Sequence, residues 1–139
     1  MMVQMHQIGK HTTSYEEPDI LFLKLVGEVD NVEVREINQK HLDYSRNRDH
    51  MFYLLDLSEL DNLPAQVRRE ASETVKVLPL RGTVVYGAPL KAKILAKLLM
   101  TAVNLFKGGK NQNIVQFTDT EAEARAWLDK RRIELAAAA

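Results

Sequence analysis

The chain has no cysteine. That excludes disulfide staples, thiolate metal sites and cysteine nucleophiles together. It has no acidic residue between Glu73 and Asp119, so one long segment carries charge of a single sign. It has no uninterrupted apolar run of membrane length: the greasiest stretch is broken by Lys93 and Lys97, so no transmembrane segment is expected. Met1 to Lys10 (MMVQMHQIGK) lacks the apolar centre of a signal peptide. The formal net charge is zero, whereas dedicated nucleic-acid binders are strongly basic, so no nucleic-acid partner is expected. Absent cysteines also fit a reducing compartment, and the expected location is the cytoplasm.

A chain of 139 residues has the size of one domain. At that length folding buries roughly two-thirds of the unfolded surface, so the core needs no staples. The segment without acids holds Lys76, Arg81, Lys91, Lys93, Lys97, Lys107 and Lys110, while all nineteen acids lie outside it. Inside it sits the most apolar helix candidate, Leu90 to Phe106. A basic, oily segment in an otherwise acidic domain points to a surface for an anionic or amphipathic partner.

Residues 1–10 read as a loose lead-in. His11 to Glu17 (HTTSYEE) is polar and β-prone and suits an edge strand. Glu17-Pro18-Asp19 marks a turn. Ile20 to Val26 (ILFLKLV) follows as a strand, so residues 11–26 form a hairpin. Asp30 and Glu33 have the spacing of a capping box, and Val34, Ile37, His41 and Tyr44 make the stripe of the helix they open. Met51 to Leu57 (MFYLLDL) is apolar on both faces, as an interior strand should be. Pro64 suits the first turn of a helix whose stripe is Val67, Ala71, Val75 and Leu78, and Pro79 stops it. Thr83 to Tyr86 is a short strand before helix 90–106, which Gly108-Gly109 ends. Asn113 to Phe117 is the last strand. Thr120 and Glu123 cap a final helix with Ala124, Trp127, Leu128 and Leu135 buried, and residues 136–139 form a tail. The order β-β-α-β-α-β-α-β-α predicts one α/β domain over residues 11–135, a mostly parallel sheet that starts with a hairpin strand.

Three segments carry a family resemblance. Ile20 to Asp30 (ILFLKLVGEVD) looks like the second strand of STAS domains with its Gly-Glu turn. Tyr53 to Leu60 (YLLDLSEL) looks like the strand that ends in Leu-Asp-Leu-Ser. Phe117 to Leu128 (FTDTEAEARAWL) is similar to the closing segment of a STAS-like branch. The chain thus resembles the STAS domain, the sporulation anti-sigma-factor antagonist fold, over about residues 11–132. That branch is itself distantly similar to CRAL-TRIO lipid-binding domains. The resemblance implies a non-catalytic regulatory or interaction domain, or alternatively a binder or sensor of a small apolar or amphipathic, lipid-like ligand. In bacterial antagonists a phosphorylatable serine after an aspartate opens the helix that follows Leu-Asp-Leu-Ser. Pro64-Ala65-Gln66 stand there, with no hydroxyl. Ser58 comes several residues early and Ser72 two turns late, so the phosphorylation switch does not carry over.

Bond-making chemistry finds little support. Asp56 and Ser58 lie near the carboxyl end of an interior strand, where α/β folds often bind ligands. A triad needs a histidine in reach, and neither His41 nor His50 is placed for it by spacing. Turn hydrogen bonds account better for both residues. His6, His11, His41 and His50 lack metal-ligand spacing, and no metal or cofactor is expected. Lys107 to Lys110 lacks the earlier glycine and the following Ser or Thr of a phosphate loop.

The expected site is therefore a contact face for a protein partner, for a second copy in a homo-oligomer such as a dimer, or for a lipid-like ligand at an anionic membrane surface. One part is the loop 58–66, with Ser58, Asp61, Asn62, Pro64 and Gln66. The other is helix 90–106, with Lys91, Lys93, Lys97, Leu98, Met100 and Phe106. Large apolar residues cover about half of that helix or more, a wider stripe than a sheet-flanking helix requires. Leu98 is read as buried, so Leu98→Asp is expected to disrupt folding or assembly.

Overall fold

A computed structural model of the chain describes residues 5–104 and 113–138. Six strands and four helices follow one another: β1 (Met5–Ile8), β2 (His11–Glu16), β3 (Ile20–Glu28), α1 (Asn31–Ser45), β4 (Met51–Asn62), α2 (Ala65–Val75), β5 (Leu80–Tyr86), α3 (Leu90–Asn104), β6 (Val115–Thr118) and α4 (Glu121–Ala138). The sheet order is the chain order, β1 to β6. The pairs β1–β2 and β2–β3 are antiparallel, and the pairs from β3 to β6 are parallel. Parallel neighbours need a crossover, which α1, α2 and α3 supply.

Alternation along the strands sorts the core into two faces. Leu21, Leu23 and Leu25 of β3 and Met51, Tyr53, Leu55 and Leu57 of β4 pack with Val34 and Ile37 of α1, Val67 and Val75 of α2, and Ala92, Ala96, Met100 and Val103 of α3. Ile20, Phe52, Leu54, Val84 and Tyr86 pack instead with Ala124 and Leu128 of α4. The domain is thus three helices, a sheet, and one helix on the far side. Gly82 of β5 permits the close seat of α4: a Cβ there would lie 3.1 Å from Arg131 Cγ and Phe52 Cδ1, and 3.3 Å from Trp127 Cη2.

Both capping boxes form. Asp30 Oδ1 accepts from Glu33 N at 2.8 Å while Glu33 Oε1 accepts from Asp30 N at 3.0 Å. Thr120 and Glu123 exchange the same pair at 3.2 and 3.1 Å.

Several expectations need correcting. The lead-in supplies a strand, β1, whose pairing with β2 satisfies its backbone and which buries only Ile8 of its four side chains. β2 is consequently an inner strand rather than an edge, which is why His11, Thr13 and Ser14 are buried. β4 runs on through Asn62, because register irregularities in β3 after Lys24 and Gly27 let it keep pairing as far as Glu28↔Asn62. Residues 58–62 are therefore strand, not loop. Pro64 stands at the N-cap of α2, before its first turn, without a side-chain capping bond. Residues 136–138 remain helical. The Gly108-Gly109 stop lies outside the described residues.

Candidate functional site

α3 has two apolar faces. Ala92, Ala96, Met100 and Val103 recur at helical spacing and are buried against the sheet. The opposite face carries Leu90, Ile94 and Leu98, which are 74%, 51% and 54% exposed. The physical reason is size. Two alanines bring the helix backbone close to β4, as small residues allow, and the large aliphatics point away. The reading of Leu98 as buried is corrected by this. Leu98 is an exposed side chain, not a core one. Met100 is a core side chain, 5% exposed, and its Sδ receives Asn113 Nδ2 at 3.8 Å. Phe106 lies outside the described residues.

The bases of α3 flank the outer stripe. Lys91 and Lys97 are exposed and Lys93 is half-buried. Lys97 Nζ sits 5.4 Å from the centroid of the Phe117 ring of β6, a cation–π contact. None of the three makes an ion pair among the described residues. The outer face of α3 is thus apolar, edged with positive charge and without an acid.

The other half of the expected site is built differently. Ser58 donates from N and Oγ to Asp56 Oδ1 at 3.0 and 2.7 Å. Asn62 Nδ2 donates to Glu28 Oε1 at 3.1 Å. Asp61 and Gln66 are exposed. Pro64 and Gln66 share an open cleft with Glu28, Asp30 and Asn31, whereas Leu98 shares a groove with Arg68 and Arg69 of α2. α2 thus stands between the two halves, and the expected residues form two surfaces. Arg68 and Arg69 went unnoticed in the sequence because nothing in their spacing tells a groove wall from a solvated helix face.

Beneath α3 lies an apolar cavity of about 70 Å³, bounded by residues of β3, β4 and all three helices, including Leu25, Leu57, Leu63, Ala96 and Leu99. Its polar edge is a hydrogen-bond chain. Thr13 Oγ1 donates to Phe22 O at 2.6 Å, so it accepts from His41 Nε2 at 2.9 Å. That fixes the proton on Nε2, and Nδ1 therefore accepts from Tyr53 OH at 3.0 Å. Burial pushes His41 down to about 3 and pushes the Tyr53 phenol up, so both stay neutral at physiological pH. His41 is the packed, hydrogen-bonded side chain that its place on an apolar stripe suggests.

Two of the remaining histidines, His11 and His50, are engaged structurally. His11 Nδ1 accepts from Val26 N at 3.1 Å, and its Nε2 faces Glu33 Oε1 at 3.2 Å. His50 Nε2 lies 3.2 Å from Asp19 Oδ2. Neither Asp56 nor Ser58 bonds a histidine among the described residues. Lys107 and Lys110 lie outside them.

No family model matches the chain, and no curated protein matches it. The fold does match a solved structure, that of an uncharacterized protein of the DUF3478 family with a SpoIIAA-like fold from Shewanella loihica PV-4. The two share 14% identity over 91% of this chain and 92% of that one, with a TM-score of 0.60. Among the described residues, no helix is long and apolar enough to cross a membrane. At 14% identity the likeness carries architecture and not activity: the chain has a SpoIIAA-like fold, the α/β arrangement of the STAS type.

Proposed function

We propose that this is a non-catalytic regulatory domain that acts in the cytoplasm by protein contact, with the outer face of α3 as its contact surface. One observation carries the reading: Leu90, Ile94 and Leu98 stand in a solvent-exposed row, edged by Lys91 and Lys97, while the opposite face of the same helix holds the core. Scattered exposed leucines need no explanation, but a contiguous row of them on one helix marks a contact. Burial returns about 25 cal/mol for each Å² of apolar surface covered. Charge argues for a different protein over a second copy. Antiparallel pairing of the row about Ile94 sets Lys91 against Lys97 of the other copy, and parallel pairing sets like against like. The absence of a hydroxyl at Pro64-Ala65-Gln66 favours control by partner availability over control by a phosphoserine there.

The test is a photo-reactive amino acid placed at position 94 and, as a control, at position 133, whose isoleucine is exposed on α4. Irradiation in expressing cells should give a protein adduct from 94 and none from 133. Equal adducts, or none from 94, would refute the contact surface.

The cavity favours a second reading, the binding of a small apolar ligand, with Tyr53 and His41 at its polar edge. Its volume limits that ligand. A cavity of about 150 Å³ holds benzene, and drug-sized pockets begin near 300 Å³, so 70 Å³ admits a lipid chain only if α3 moves outward. Native mass spectrometry of the purified protein decides it: a bound lipid mass supports the carrier reading, and an empty protein leaves the contact reading alone. The membrane variant has its own test. Each base near an anionic surface contributes about 1 kcal/mol, so Lys93→Glu with Lys97→Glu should lower sedimentation with anionic vesicles if the domain works there.

A further inference from the structure

The groove between α2 and α3 is walled by Ala65, Arg68, Arg69 and Ser72 on one side and Leu98, Leu99 and Ala102 on the other. Its volume of about 200 Å³ suits an apolar side chain of a partner better than a drug-sized ligand. The two arginines are unusual within this molecule. Arg35, Arg46, Arg48, Arg125, Arg131 and Arg132 each make an ion pair, and Arg81 donates to Leu80 O. Arg68 and Arg69 do neither among the described residues. Arg69 is exposed, and the Nε of half-buried Arg68 is shut off from solvent without a hydrogen-bond partner.

We infer that this groove seats an acidic amphipathic helix of a partner protein. The inference rests on the outer face of α3 being the contact surface, and it names the kind of partner that face takes. An apolar side chain of the incoming helix enters between Leu98, Leu99 and Ala102, and a carboxylate reaches the guanidinium groups of Arg68 and Arg69. Guanidinium groups match carboxylates in a planar, two-bond geometry, and neither Arg68 nor Arg69 has an acidic partner within the chain among the described residues. Leu90, Ile94 and Leu98 then continue the apolar seat along α3. Their four-residue spacing, about 6 Å along the axis, is the spacing at which a docked helix presents its own anchors. A membrane fits less well: a lipid surface meets a flat or convex face, whereas this site is a groove with one half-buried arginine in its wall.

The probe is a synthetic helical peptide with leucines at i, i+4, i+7 and i+11 and glutamates flanking them. A second peptide has lysines in place of the glutamates, and anionic phosphatidylglycerol vesicles form the third arm. Fluorescence anisotropy on the full chain should show the acidic peptide binding at least tenfold more tightly than the basic one. Arg69→Glu should weaken it at least tenfold, Arg68→Gln should do so too, and Lys130→Glu on α4 should leave it unchanged. Equal binding of the two peptides, insensitivity to both arginine substitutions, or arginine-dependent binding of vesicles in place of peptide would each overturn the inference. A protein adduct from position 94 that persisted beside any of those results would leave the contact role standing and remove only the acidic helix.

Discussion

His41 shows what a buried polar residue costs and what holds it. Unfolded, it protonates below about pH 6.5; folded, burial keeps it neutral down to about 3. Its folded value is depressed, so its contribution is complete above about pH 6.5 and is lost progressively as pH falls from there toward 3. The urea stability should therefore drop on the order of 2 kcal/mol between pH 7 and pH 4.5 from this residue alone, and His41→Asn should flatten that part of the profile. Tyr53→Phe removes the donor to His41 Nδ1 and should cost about 1–2 kcal/mol at pH 7 by the same urea measurement. The presence of His41 on a packed stripe was legible from the repeat Val34, Ile37, His41. Its partners were not, because Thr13 is 28 residues away in sequence and only the inner position of β2 brings it alongside.

Among the elements, α3 shows how far periodicity reaches. Its existence and start were legible, as were the two capping boxes and the buried strand of β4. Which face of it is core was not. Counting large aliphatics takes Leu95, Leu99 and Val103 together with Leu90, Ile94 and Leu98 and so does not separate the faces, while the core also takes Ala92 and Ala96, small residues that such counting ignores. Two substitutions separate the faces. Ala96→Leu should overpack the inner row and cost about 1–3 kcal/mol. Leu98→Asp should cost under about 1 kcal/mol in the monomer, as read from thermal melts. A collapse of the Leu98→Asp protein alone would mean that the outer face is core after all. β1 escaped detection for a related reason: Met5 to Ile8 has little apolar pattern, and its backbone pairing with β2 makes it a strand.

At the scale of the whole molecule, α4 is held to the far side of the sheet by pairs that no local pattern reveals. Arg132 Nη2 and Nε donate to Asp19 at 2.6 and 2.9 Å across 113 residues, and Arg125 grips Glu16 at 2.7 and 2.8 Å across 109. Burial would raise Asp19, but the Arg132 bond and charge, with His50 beside them, outweigh it and hold the carboxyl below its ordinary range. The stability this supplies is present above the unfolded value near pH 3.9 and is lost as pH falls through the lower folded one. Arg132→Ala leaves a buried carboxylate without its main partner. It should cost about 2–3 kcal/mol at pH 7 and move the acid-unfolding midpoint to higher pH. With the fold secured from both sides in this way, the outer face of α3 is free to meet another protein. The most direct test of that claim is the photo-crosslinking yield from a probe at position 101, on the exposed side of α3, in wild type and in the Ile94→Asp, Leu98→Asp double variant. The adduct should fall at least tenfold while the variant still melts cooperatively within a few degrees of wild type. An undiminished adduct would contradict the account, as would a variant that no longer folds.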